Sequence, residues 1–253
     1  WYPQETTGLL PCVIDIHGGG WMYGDKNLND LFCASLAAQG YAVVTMSYRL
    51  MPETDLRGML QDVFASLHWL AKHGQEHHCD LSRVYLTGDS AGGHLCGLTT
   101  CVQLNPALQR VYGVHPADFD IKAIAINHGV CDLYSFGFMK GIPGWLIDRE
   151  MHLLMFGSKR TKSEVFRSAS FKDTARGLKL PPVMVISSEP DPFFFHSQAL
   201  ADYLRDNGFT FQTKFWKREQ GEKLTHVFNI CYPDWPESIE TNREMLAFFS
   251  QAG

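Results

Sequence analysis

Short runs rich in β-branched residues alternate along this chain with segments whose apolar residues recur at helical spacing. That alternation is the pattern of a parallel sheet wrapped by helices. Val13-Ile14-Asp15-Ile16 reads as a strand running into a glycine loop. A helix is expected over 28–39, ended by Gly40. Residues Tyr41 to Met46 form the next strand, and Leu60, Val63, Phe64, Leu67 and Leu70 mark one face of a helix. Arg83 to Thr87 is a third strand, with a helix behind it to Leu104. Ile121 to Asn127, Pro182 to Ser187 and Phe211 to Phe215 complete six strands. A helical face at Ala199, Leu200, Tyr203 and Leu204, and a last helix from Ser238 to Ser250, close the pattern. The expectation is an α/β fold, one domain over 1–253, with a mostly parallel sheet flanked by helices.

Composition narrows the function classes. With 45% hydrophobic and 19% charged residues, a disordered chain is excluded. A net charge of −5 argues against binding to nucleic acid or to an acidic membrane surface. Seven cysteines, an odd number without a C-x-x-C, point to buried reduced thiols rather than a disulfide framework or zinc ribbon. No apolar run is long enough for a membrane span, and the start, Trp1-Tyr2-Pro3-Gln4-Glu5, lacks signal-peptide features. Read as complete, the chain is expected in the cytoplasm. The stretch 131–180 exceeds what a strand–helix–strand unit needs and is expected to form a small helical cap over the site; the competing reading is a structural excursion.

Two motifs carry chemistry. Gly88-Asp89-Ser90-Ala91-Gly92 lies between a strand and a helix, where a serine on a sharp turn is exposed above the sheet edge. His17-Gly18-Gly19-Gly20 follows the first strand, and its glycines let backbone N–H groups approach a ligand atom. A serine nucleophile needs a base, and the base needs an orienter, in the chain order serine, carboxylate, histidine. Asp191 follows a late strand and is the expected carboxylate, with Glu189 the alternative. His226 is the histidine ahead of the last helix. Of the others, His17 is expected to stabilise the glycine loop, His94 to pack or bond locally, and His196 to line the site. His77, His78, Cys79 and Asp80 have metal-ligand chemistry, but neighbours in one connection do not converge easily on an ion.

The sequence resembles the hormone-sensitive-lipase-like branch of the α/β-hydrolases, which includes bacterial acetyl and short-chain carboxylesterases. The matching residues are His17-Gly18-Gly19-Gly20-Trp21, Tyr48-Arg49-Leu50-Met51-Pro52-Glu53, Gly88-Asp89-Ser90-Ala91-Gly92-Gly93, Pro181-Pro182, Asp191-Pro192 and His226-Val227-Phe228. The resemblance implies Ser90 as nucleophile, His226 as base and Asp191 as orienter. It implies Gly19, Gly20 and Ala91 as oxyanion-hole donors, with Gly18 as substitute for one glycine, and neither metal nor organic cofactor. The chain departs from the family in three places. Only 12 residues precede the first strand, where the family usually carries two more, so those early strands are expected to be missing, through loss or trimming. Phe193-Phe194-Phe195 replaces more polar residues, and Gln220-Gly221-Glu222-Lys223 lengthens the approach to His226.

The implied activity is serine carboxylic-ester hydrolysis of short, acetyl-like acyl groups through an acyl-enzyme. The ester is a small molecule, an acylated sugar among the candidates. Alternatives on the same fold are a feruloyl or carbohydrate acetyl esterase, an arylformamidase or a peptidase; a non-catalytic binding protein is disfavoured because all three catalytic candidates are present. Trp21, Tyr23, Phe136, Phe138, Trp145 and the run Phe193 to Phe195 are candidate pocket walls, with ordinary core packing the better reading for most of them. Trp21 and Phe193, beside the catalytic loops, are the expected substrate-binding residues.

Overall fold

The computed structural model describes residues 1–134, 141–157 and 163–252; for 141–143 it describes the backbone alone. Its strands are β1 (Leu10–Ile16), β2 (Ala42–Thr45), β3 (Cys79–Asp89), β4 (Ile121–Asn127), β5 (Val183–Ser188) and β6 (Phe211–Trp216). The larger helices are α1 (Asp30–Ala37), α2 (Leu56–His73), α3 (Ala91–Leu104), α4 (Pro106–Tyr112) and α5 (Gly141–Phe156). The short α6 (Glu164–Arg167) and α7 (Phe171–Thr174) follow, then α8 (Phe194–Asp206), α9 (Phe228–Cys231) and α10 (Pro236–Ala252). The six strands form one parallel sheet in the order β2-β1-β3-β4-β5-β6. Among the described residues no helix is long and apolar enough to cross a membrane.

Strand alternation divides the core into two layers. Ile14, Leu86, Ile124, Ile126, Val183 and Val185 pack with Leu60, Val63 and Phe64 of α2, Leu95 and Leu98 of α3, and Leu200 and Leu204 of α8. Val13, Tyr85, Ala123, Ala125, Met184 and Ile186 face the other way, onto Phe32 and Leu36 of α1 and Met245 and Phe249 of α10. The Tyr85 and Phe249 rings stack at 4.8 Å. All seven cysteines are free thiols, and only Cys231 is exposed.

Elements β3 and α4 differ from the sequence expectation. β3 begins at Cys79 rather than Arg83, because Cys79 and Asp80 pair with Leu10 and Pro11 before a register shift admits Val84 opposite Cys12. Helix α4 was not anticipated. Its signals are local all the same: Asn105 accepts from the N–H groups of Ala107 and Leu108, Pro106 stands in the first turn, and Gly113 closes the helix at φ +67°.

The register sets the position of every loop used below. Ile16 pairs with Gly88, Asp89 with Asn127, and Asn127 with Ile186. The residues that follow these positions therefore emerge at one carboxyl edge of the sheet, where ligands bind in open parallel sheets.

Candidate active site

Ser90 occupies the turn between β3 and α3 at φ 53° and ψ −116°. Its N–H donates to the Asn127 carbonyl at 2.9 Å, and its own carbonyl accepts from His94 N–H at 3.1 Å. These bonds hold a backbone that an isolated serine would avoid. The turn also presses against the end of β1. A Cβ on Gly92 would lie 1.8 Å from the Ile16 carbonyl oxygen, so that position admits only hydrogen.

The glycine loop is built onto the same turn. Gly19 takes φ +98° and Gly20 φ +60°. Tyr48 hydroxyl donates to the His17 carbonyl at 2.8 Å, and Met51 N–H to the Trp21 carbonyl at 2.8 Å, so the Tyr48–Glu53 motif braces the loop from outside. Gly18 N–H donates to Asp89 Oδ1 at 3.0 Å. That corrects the expectation for Gly18, whose N–H is committed to Asp89 and does not stand in for a neighbour's. Among the described residues the N–H groups of Gly19, Gly20 and Ala91 have no hydrogen-bond acceptor. Ala91 opens α3, where the helix dipole favours negative charge.

Beneath the loop lies a buried polar cluster that sequence reasoning missed. Asn29 Nδ2 donates to Asp89 Oδ1 at 2.8 Å and to Asp15 Oδ2 at 2.9 Å. Burial, then the nearby Asp89 charge, pushes the Asp15 carboxyl up to about 7. Burial likewise raises Asp89, against the Asn29 and Gly18 donors that favour its charged form.

Three side chains meet above this floor. His226 Nε2 is 2.9 Å from Ser90 Oγ, and His226 Nδ1 is 2.9 Å from Asp191 Oδ2. With its proton on Nδ1, His226 donates to Asp191 and accepts from the Ser90 hydroxyl. Asp191 Oδ1 takes the Phe193 N–H at 2.8 Å. Burial opposes the Asp191 charge, but donors from His128 and His226 outweigh it and hold the carboxyl well below the usual range. The loop carrying His226 is tied down by Ser188, whose hydroxyl donates to the Leu224 carbonyl, and by Asn229, which donates to Asn127 Oδ1 at 2.9 Å. Glu189, the alternative carboxylate, instead accepts from Arg218 N–H at 3.0 Å.

His128, which the sequence reading passed over, places Nδ1 2.6 Å from Asp191 Oδ2. The signal that would have found it is its position, one residue past a β4 strand whose carboxyl end faces the site. His128, Asp191 and His226 are also the one group of His, Cys, Asp and Glu among the described residues close enough to hold a metal, with ligand atoms within 4.8 Å of one another. Their mutual hydrogen bonds already use both Nδ1 atoms and Oδ2, and an ion would have to displace those bonds. His77, His78, Cys79 and Asp80 do not converge: His78 pairs with the Gly8 carbonyl and Asp80 with Ser82 and Arg83.

The remaining candidates are distributed unevenly. His17 stacks on Tyr48 at 4.4 Å with Nδ1 2.9 Å from the Gly18 carbonyl, inside the glycine loop. His94 links two segments: its Nδ1 accepts from the Trp21 indole at 3.3 Å and its Nε2 donates to the Ala169 carbonyl at 2.9 Å. Trp21 was expected at the substrate, but it is fully buried and packs into the core beneath the loop. Phe193 lies edge-on to the His226 ring at 5.0 Å. Tyr23 and Trp145 are exposed, and Phe136 and Phe138 lie outside the described residues.

The BD-FAE family model matches residues 1–204. The chain belongs to the BD-FAE family. It is an α/β-hydrolase-fold chain related to esterases of the hormone-sensitive-lipase type. Esterase B from Lactobacillus rhamnosis is 42% identical, superimposes with a TM-score of 0.94, and is matched over 99% of this chain and 79% of its own. A bacterial brefeldin A esterase, described as a homologue of human hormone sensitive lipase, shares the fold at 22% identity and a TM-score of 0.74, over 99% of this chain and 71% of its own. Lipase 2 from Moraxella sp. is 42% identical over 96 residues, which is 38% of this chain and 22% of that protein. The chain thus spans less than a third of the length of the first curated relatives it matches.

Proposed function

We propose that the chain hydrolyses carboxylic esters with short acyl groups by a Ser90–His226–Asp191 triad. The observation that carries this reading is the continuous hydrogen-bonded path from Ser90 Oγ through the His226 ring to the buried Asp191 carboxylate. It lies beside backbone donors that no other group uses among the described residues. In the mechanism, His226 Nε2 takes the Ser90 proton as Oγ attacks the ester carbonyl. Gly19, Gly20 and Ala91 N–H groups receive the tetrahedral oxyanion. His226 then returns its proton to the leaving alcohol, and water repeats the sequence on the acyl-enzyme to release the acid. Asp191 holds the imidazole tautomer and offsets the imidazolium charge.

A short acyl group is supported by the chain's likeness to esterase B, one structure of which is described as inhibited by a tributyrin phosphonate. Phe193, against the imidazole, is the candidate wall of the acyl site, and Trp21 contributes by supporting the glycine loop from below. The 131–180 segment is proposed as the cap. Its described part places Met151, Met155 and Val165 against the main core, and His152 Nε2 donates to the Leu133 carbonyl at 2.6 Å.

The test is turnover of p-nitrophenyl esters of increasing acyl length, with Ser90→Ala as control. The expected result is a maximum at short chains and a loss in kcat on the order of 10⁶ in the variant. Ester turnover retained by Ser90→Ala, or a wild-type protein inert to a fluorophosphonate probe, would overturn the assignment.

A further inference from the structure

Asp191 Oδ2 is shared. His226 approaches it at 2.9 Å and His128 at 2.6 Å, both through Nδ1. The His128 and Asp191 side chains are completely inaccessible to solvent. His128 is held there by its backbone: φ is +50°, and its N–H donates to the Ile186 carbonyl at 2.7 Å. Its ring stands edge-on to His226 at 5.7 Å and to Phe228 at 5.6 Å.

The other ring nitrogen decides the protonation state. His128 Nε2 is buried and has no hydrogen-bond partner among the described residues. A proton on Nε2 would be an unsatisfied buried donor, whereas a bare lone pair costs less. The proton therefore sits on Nδ1 and points at Asp191, and the ring stays neutral. The charged or titratable groups that act on it are Asp191, His226 and Asp89 at the end of β3.

We propose that His128 is a positioning residue: as a neutral imidazole it donates to Asp191 Oδ2, fixes the carboxylate plane and competes with His226 for that oxygen. With His128, His226 and the Phe193 N–H all donating, Asp191 is gripped by three groups and has no freedom to rotate. Competition for Oδ2 also weakens the carboxylate's hold on a protonated His226. Loss of the His128 donor should therefore tighten the carboxylate's grip on a protonated His226 and alter the pH dependence of turnover. This inference rests on the reading of Ser90, Asp191 and His226 as the catalytic group.

The experiment compares His128→Leu with His128→Asn. The two side chains have the same branched shape, but only Asn carries an N–H where Nδ1 stands, and Asn tolerates positive φ. Ester turnover is followed across pH, with Ser90→Ala as the separate test of the underlying reading. In His128→Leu, kcat/KM is expected to fall roughly tenfold to a hundredfold, less than the ~10⁴ lost when an orienting carboxylate is itself replaced. The acid limb of its pH profile should move upward by roughly 0.5 to 1 pH. His128→Asn should restore the wild-type limb. A lower rate with an unmoved limb, or the same displaced limb in both variants, overturns the proposal. If His128→Leu does not fold, nitrogen-15 spectra of the wild-type histidines decide. A neutral His128 protonated at Nδ1 throughout the acid limb supports the proposal. A proton on Nε2, or a charged ring, overturns it.

Discussion

Gly18 N–H donates to the side chain of Asp89 at 3.0 Å across 71 residues of sequence. The bond joins the glycine loop after β1 to the residue before Ser90, so the proposed oxyanion donors and nucleophile are set relative to each other by one carboxylate.

Removing that carboxylate should therefore cost both stability and rate. Asp89→Ala leaves Gly18 N–H and one Asn29 N–H without their acceptor in a buried site. Each unsatisfied group costs about 1–3 kcal/mol. A displaced oxyanion donor lowers kcat by ~10² or more. Urea denaturation and ester kinetics on the same variant check both halves.

Gly92→Ala should be strongly disruptive. The added carbon would stand 1.8 Å from the Ile16 carbonyl oxygen and 2.5 Å from that of His17. Both are backbone atoms of the central sheet and its loop, so neither moves cheaply. A loss of about 3 kcal/mol or more is expected, read as a shift in the denaturation midpoint.

Asp15 makes stability fall as pH rises. Its carboxyl is raised to about 7 from an ordinary 3.8, so between these values the folded chain binds a proton that the unfolded chain has released. Stability contributed by the protonated form is full below about pH 4 and declines towards pH 7. Asp191 acts oppositely: its carboxyl is depressed, so its contribution is present above about pH 4 and is lost at more acid pH. Asp15→Asn should flatten the decline between pH 4 and 7 and gain on the order of a few kcal/mol relative to wild type at pH 8. Denaturant titrations across that range measure it. A slope unchanged in the variant would count against Asp15 as its source.

Phe193 offers a test of the acyl site that leaves the triad in place. Its contact with Asp191 runs through the backbone N–H, which survives substitution, while its ring meets His226 at 5.0 Å. Phe193→Ala should raise KM for butyryl esters and move the preferred acyl length upward, with kcat changed by less than about tenfold. An acyl-length profile identical to wild type would remove Phe193 from the pocket.

Much of this molecule was legible before any coordinates. The strand–helix alternation follows from local period, and β4 runs over the anticipated residues, Ile121–Asn127. The serine turn and glycine loop announced themselves because tight backbone approaches demand glycine, and glycines are visible in a string. Ser90, Asp191 and His226 were legible through chain order and resemblance. Helix α4, seven residues long, is too short to show apolar periodicity, although Asn105-Pro106 marks its start.

His128 and the Asp15–Asn29–Asp89 cluster were not legible, and the reason is physical. Its place just past β4 marks His128 as near the site but not as a partner of Asp191; it meets Asp191, 63 positions later, because β4 and β5 pair with Asn127 opposite Ile186. Asn29 reaches both aspartates only because α1 packs on the sheet where β1 and β3 end. Local sequence determines which segments become strands, helices and turns, since those depend on neighbours a few residues apart. Which buried polar groups share a hydrogen bond depends on register and layer packing between distant segments, and that only the tertiary structure decided.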